Sequence, residues 1–358
     1  MHNLKIDFGS CVRVYSKFSN CDKCATVCPH DAITYEENIP VVSDACTDCG
    51  GCLGGCPTEA ISLSNFDMLE FLFGFIESDE TLISCKKNIP CLSALSVEHL
   101  VSLAILKPET TLDLGHCEQC PITEPLFSHI QENIAVANRF LETLIPSGKI
   151  KSAHIAYEAP GEKEEASDRR AFLQRFTLKG AVKSKAEFEK TVETLEKREV
   201  SATDSANIRK KTLPNKRKLL FMTLKRLNRP ETFQTFVPDD LSFISNKEVD
   251  DACDNCSMCY RICPTGALQT DKRATRILFD PLNCVKCALC HDVCEPNAIK
   301  LAPFSTEEIF NPKVHELKHF KVIRCDECAN YFSYFGGERL CPRCKIEEEE
   351  AKRLWGIQ

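Results

Sequence analysis

The chain has 358 residues, 24 of them cysteine, with 43% hydrophobic residues and a formal net charge of -7. That length and composition specify packed, multidomain globular material, and the acidic balance argues against general nucleic-acid binding, which draws on clustered Lys and Arg. The most apolar run, MLEFLFGFI at 68–76, falls far short of the roughly 20 residues that span a bilayer, so no transmembrane segment is expected.

The N-terminal stretch MHNLKIDFGSCVRVYSKFSNCDKC has no apolar segment of the kind an export signal carries. A cytoplasmic, reducing setting is therefore expected, in which cysteines serve as metal ligands rather than disulfides. Two related motifs follow, NCDKCATVCPHDAI at 20–33 and CTDCGGCLGGCPTEAI at 46–61. The second spaces Cys46, Cys49, Cys52 and Cys56 as C-x2-C-x2-C-x3-C with Pro57 directly after, a pattern suited to iron-sulfur ligation.

Residues 81–121 place Cys85 and Cys91 ahead of Cys117 and Cys120. TLIS reads as a strand, SVEHLVSLAIL as a helix with Ser96 as its N-cap, and TTLDL as a second strand, a β-α-β arrangement. Parallel strands would bring these four thiols to one edge, where sites in open α/β sheets form. Zinc, a 2Fe-2S cluster or a further cubane all suit four such ligands, and buried structural thiols or a transient disulfide are the plain alternatives. His116 reads as an ordinary loop residue.

Residues 146–240 hold no cysteine and read as a charged, partly helical linker. Within it, Ser205 to Pro230 carries nine Lys or Arg and no acid. This basic segment reads either as a solvated helix or as a docking site for an acidic protein partner.

The paired motif then returns as CDNCSMCYRICPTGAL at 253–268 and CVKCALCHDVCEPNAI at 284–299. At the C-terminus, Cys325, Cys328, Cys341 and Cys344 give C-x2-C-x12-C-x2-C. That spacing fits a four-cysteine structural zinc site, with rubredoxin-type iron as the alternative, and it resembles a zinc ribbon. KIEEEEAKRL after it reads as a solvated helix.

A tight C-x2-C-x2-C loop can wrap three corners of a cubane while a fourth cysteine arrives from elsewhere. On these motifs, residues 1–66 and 241–305 resemble the bacterial two-cluster ferredoxins, whose fourth cysteine of each motif crosses to the other cluster. The resemblance implies one cluster on Cys253, Cys256, Cys259 and Cys294 and a second on Cys284, Cys287, Cys290 and Cys263. In the first module it implies Cys46, Cys49, Cys52 and Cys28 for one cluster. For the other, the family expects a cysteine where this chain has Phe18. Cys11 is the candidate substitute, completing a set with Cys21, Cys24 and Cys56; otherwise a three-ligand 3Fe-4S centre is expected. In CEPNAI, Pro296 sits one residue later than the family places it, which puts the local turn in question.

The expected fold is α+β and multidomain. It comprises a dicluster module (1–66), a small α/β domain with a four-cysteine group (67–145), the linker (146–240), a second dicluster module (241–305) and a zinc-ribbon-like tail (306–358). Sixteen cysteines fall to the modules, four to the middle and four to the tail, which uses all 24 if Cys11 is a ligand.

No dinucleotide or phosphate-loop fingerprint is present, so no catalytic residue is assigned. The expected function is single-electron transfer through about four [4Fe-4S] clusters, zinc holding the tail. The resemblance extends to polyferredoxin-like subunits that serve formate dehydrogenases, hydrogenases and related enzymes of anaerobic metabolism, which would make the partner an oxidoreductase. The alternatives are a redox enzyme acting through the middle cysteines and a redox-sensing scaffold or assembly factor.

Overall fold

A computed structural model describes residues 2–155, 182–199 and 211–356. The stretch GEKEEASDRR at 161–170 and residues 205–210 of the basic segment lie outside the described residues. The fold mixes helices with several small sheets rather than one large one.

In the first 66 residues, Leu4–Ile6 pairs antiparallel with Ile61–Leu63, and Ile33–Glu36 forms a hairpin with Ile39–Val42. Glu37 and Asn38 both take positive φ at the hairpin turn, as a tight two-residue connection requires. The same plan returns later in the chain. Asn246–Val249 pairs with Ile299–Ala302 around a central hairpin of Leu268–Thr270 and Arg276–Phe279. Here a third strand, His315–His319, adds to Arg276–Phe279. The chain beyond 305 therefore completes this sheet before the tail begins, covering an edge whose Ile277 and Phe279 are buried.

Between these units lies a parallel sheet of Leu82–Ile83, Thr111–Asp113 and Lys151–Ala153. Its crossover helix, Val97–Leu106, is opened by Ser96, whose hydroxyl accepts from the His99 N–H. The apolar run at 68–76 falls in the helix Met68–Glu77, capped by Asp67, with Phe71, Leu72, Phe73 and Phe75 buried. It is a core helix, and among the described residues no helix is long and apolar enough to cross a membrane.

One apolar core runs through the first 150 residues and takes in the helix Asn215–Leu224 through Leu219, Leu220, Met222 and Leu224. The basic segment from Ser205 to Pro230 was expected to be a solvated face or a docking surface; Lys225, Arg226 and Arg229 are exposed, but the structure corrects both readings for the first three cations of this helix. Lys216, Arg217 and Lys218 are buried. The reason is local pairing: Lys216 Nζ donates to the Cys56 carbonyl at 2.7 Å, and Arg217 donates to Glu98 at 3.2 Å and to the carbonyls of Phe243 and Leu282 at 2.6 Å each. The charges of Lys216 and Arg217 are thus held by partners from three parts of the chain and face no solvent.

The tail is a hairpin of Val322–Arg324 and Tyr331–Ser333 followed by the exposed helix Pro342–Trp355. Asn255 Nδ2 donates to Ser333 Oγ at 2.8 Å, tying the tail to the preceding unit.

Candidate functional site: six cysteine quartets

Backbone conformation explains how short loops aim several sulfurs at one point. In the loops from Cys46, Cys253 and Cys284, the residue before the second cysteine and the residue after it are both left-handed. These are Asp48 and Gly50, Asn255 and Ser257, Lys286 and Ala288. Two such residues coil the chain tightly enough for three cysteine side chains to converge. A further left-handed residue stands three positions after the last cysteine of all four motifs: Asp31, Glu59, Gly266 and Asn297. The turn of CEPNAI is therefore the same as the others despite Pro296. The N–H of the next residue donates to the cysteine sulfur in three of them, Ala32 to Cys28 at 3.3 Å, Ala60 to Cys56 at 3.2 Å and Ala298 to Cys294 at 3.2 Å.

In the first unit, Cys11, Cys21, Cys24 and Cys56 line one small cavity of about 20 Å³. Phe18 is half exposed and takes no part, whereas Cys11 is turned inward by a bend whose Cys11 N–H donates to the Asp7 carbonyl at 3.0 Å. Cys28, Cys46, Cys49 and Cys52 line a second cavity of the same size. In the later unit, Cys263, Cys284, Cys287 and Cys290 line a third. Cys294 lies close enough to Cys253 and Cys256 to raise both thiols, after the larger effect of burial. Cys259 joins the same group, being raised by Cys256 and Cys253 as well as by burial.

As free thiols these groups resist ionisation. Burial pushes Cys24 up to about 11 and Cys290 up to about 12, pushes Cys52 and Cys259 higher still, and holds Cys287 well above the ordinary thiol value. Four thiolates can be held together in such places only with a cation among them, and the donor sets fit an iron-sulfur cluster, which would supply that positive charge.

Several neighbours of the sulfurs were invisible in the cysteine pattern. Tyr35 Oη lies 3.5 Å from Cys24 Sγ, and the Arg13 guanidinium sits over the Tyr35 ring. Lys247 is buried, which would lower its pKa, yet it is raised because the thiols of Cys290, Cys284 and Cys287 surround it. Lys211 approaches Cys263 and Cys259 and donates to the Tyr260 carbonyl. Only the fold brings these residues to the sulfurs.

The quartets are also close to one another. Cys24 raises the Cys52 thiol, and Cys290 raises that of Cys259, so within each unit the two groups are neighbours. Between the units, Val12, Ile262, Leu289 and Val293 form a small apolar seam against which both Cys21 and Cys287 pack. The Asn20 N–H donates to Asp292 at 3.0 Å, and Lys23 Nζ to the Lys286 carbonyl at 3.3 Å, at its edges.

The middle group is brought together as well: Cys85, Cys91, Cys117 and Cys120 line one cavity of about 140 Å³. Burial pushes Cys91 and Cys117 up to about 12. In the tail, Cys325, Cys328, Cys341 and Cys344 place their sulfurs within 4.8 Å of one another, as a single tetrahedral ion requires. N–H groups, the Cys328 one foremost, lower the Cys325 thiol to about 6, which readies one thiolate ligand.

Residues 252–298 match the family model for a 4Fe-4S dicluster domain. Residues 18–66 match that for the LdpA Fe-S cluster-binding domain, a match that begins after Cys11. The chain is an iron-sulfur, ferredoxin-like protein. No curated protein matches it. The matched ranges hold the four repeated motifs, while the middle and tail quartets lie outside both.

Proposed function

We propose that this protein is an electron relay in which four [4Fe-4S] clusters stand in line. Their ligands are Cys253, Cys256, Cys259 and Cys294; then Cys284, Cys287, Cys290 and Cys263; then Cys11, Cys21, Cys24 and Cys56; then Cys46, Cys49, Cys52 and Cys28. Such clusters exchange single electrons when bound. The protein's own residues supply the spacing, the burial and the N–H donors that set the potentials. The observation that carries the reading is the seam at Cys21 and Cys287, which makes two two-centre units into one four-centre path. The tail quartet is assigned to structural zinc on its compact geometry. The partner class is an oxidoreductase, and the protein needs no catalytic residue of its own.

The deciding test is metal analysis of the anaerobically purified full chain with EPR during reductive titration. About sixteen irons with several interacting signals are expected from four cubanes. Fewer than about eight, with zinc dominating, would end the relay reading.

Two variants test the ligand set and its tuning. Cys11→Ser should convert one centre toward a three-iron form, read as a new oxidised-state EPR signal and the loss of about one iron; unchanged iron would make Cys11 a spare thiol. Lys247→Met removes a buried positive charge beside Cys284, Cys287 and Cys290. It should lower the potential of that centre on the order of 100 mV, because the cation favours the more negative, reduced state. An unchanged set of midpoint potentials would remove Lys247 from the tuning of the relay.

A further inference from the structure

We propose that Cys85, Cys91, Cys117 and Cys120 hold a fifth iron-sulfur cluster, which ends the relay and is its port to the partner. The inference rests on the relay reading and adds to it a terminus, outside both matched domains.

Three observations carry it. The first is the contrast between this quartet and the tail. Among the described residues, the tail cysteines are the group whose sulfurs all lie within 4.8 Å of one another, the span one metal ion can bridge. The middle four do not meet that condition, and neither do the four quartets of the matched domains, so their sulfurs are spread around a wider centre than one ion needs. The middle four line a cavity of about 140 Å³, as three of the module quartets line cavities of about 20 Å³ each.

The second observation is position. The helix Gly51–Gly55, which carries Cys52, packs directly on the turn Leu92–Ala94 that follows Cys91. The contact is so close that a Cβ on Gly54 would lie 2.2 Å from the Ser93 carbonyl oxygen, and one on Gly51 would lie 2.1 Å from Leu126. Leu126 itself lines the middle cavity. The glycines of CTDCGGCLGGCP thus bring the last quartet of the relay against the middle one, an approach that a structural zinc would not need.

The third is direction. Cys91 faces the relay, whereas Cys117 and Cys120 lie in a half-exposed segment with Glu118, Gln119, Pro121 and Glu124 at the surface. One side of the centre meets the buried path and the other meets solvent. A partner at this rim would meet the acids Glu118 and Glu124, so it would present Lys or Arg.

The test compares the full wild-type chain with Cys117→Ser, both purified anaerobically, for iron, zinc and reduced-state EPR. The wild type should carry more than sixteen irons, up to about twenty, and about one zinc. The variant should lose two to four irons and keep its zinc. The signal of the neighbouring Cys46, Cys49, Cys52 and Cys28 centre should sharpen once its magnetic neighbour has gone. About sixteen irons with two zincs in the wild type, one zinc lost on substitution, would overturn the proposal and leave the relay intact. No metal lost, or an unchanged neighbouring signal, would overturn it too. The wild-type measurement needs no variant to fold. A total far below sixteen irons in both proteins would count against the relay itself, while the difference between them still decides the fifth centre.

Discussion

Arg217→Met should destabilise the protein by about 3–5 kcal/mol, the cost of stranding one member of a buried ion pair. Arg217 is completely buried and forks between Glu98 of the crossover helix and the carbonyls of Phe243 and Leu282, which belong to the approach to the second unit. The next residue, Lys218, is buried as well, and Lys216 ties the same helix to Cys56 and lies 4.0 Å from Glu98. One helix thus fastens the first unit, the middle sheet and the second unit together. Removing the guanidinium leaves Glu98 with the more distant lysine and two carbonyls without donors.

The pH dependence has a definite sign. In the native protein burial would raise the Glu98 carboxyl, but Lys216 and Arg217 outweigh it and hold it below the ordinary glutamate value. A depressed carboxyl adds stability above its unfolded pKa and loses it as pH falls through the folded one. In the variant the balance tips toward burial, so charged Glu98 becomes a cost that protonation relieves. The gap between the two proteins should be full near neutral pH and narrow as pH falls toward and below the ordinary glutamate value near about 4.3. Thermal melts followed by cluster absorbance would show this, and a variant that melts with the wild type at every pH would refute the account.

The contrast between that helix and the cysteine motifs shows what the amino-acid sequence carries. The cysteine spacing C-x2-C-x2-C-x3-C is local and was legible, whereas the left-handed position shared by Asp31, Glu59, Gly266 and Asn297 is held by four different residues and only the following Ala-Ile or Ala-Leu pair hinted at a common turn. The strand, helix and strand at 81–114 were legible too, since Ser96 announces its helix. KRKLLFMTLKRL was not. Lys216, Arg217 and Lys218 are buried, the first two meeting the Cys56 carbonyl and Glu98 some 120 to 160 positions away, while Lys225 and Arg226 stay exposed. Hydrophobic spacing reports which face of a helix is apolar, and it cannot report a polar face that is buried by pairing. The seam was hidden for a related reason: Val12, Ile262, Leu289 and Val293 are four ordinary aliphatic residues whose joint meaning exists only once two copies of the module have docked. Cys11 stands between these cases, since its type was informative and its spacing was not.

The seam makes the sharpest demand on the relay. Leu289→Asp should leave each unit with its own clusters but stop electrons passing between them within one molecule. Leu289 is fully buried between Cys21 and Cys287. Truncating a buried leucine costs about 2–5 kcal/mol, and the added carboxylate must in addition be desolvated, so the seam opens to let it reach water. The edge contacts from Asn20 and Lys23, both exposed or half-exposed, contribute about 0.5–1.5 kcal/mol each, so the seam opens locally even though the helix Asn215–Leu224 still fastens the units elsewhere. With less than one equivalent of reductant per chain, electrons in the wild type should redistribute over all centres at a rate independent of protein concentration. In the variant that redistribution should become slow and rise with protein concentration, because electrons must then travel between molecules. Iron content should stay the same, which separates a broken path from lost clusters. If the fast, concentration-independent phase survives in a protein carrying aspartate at 289, the two units do not communicate through this seam, and the four centres are two separate pairs.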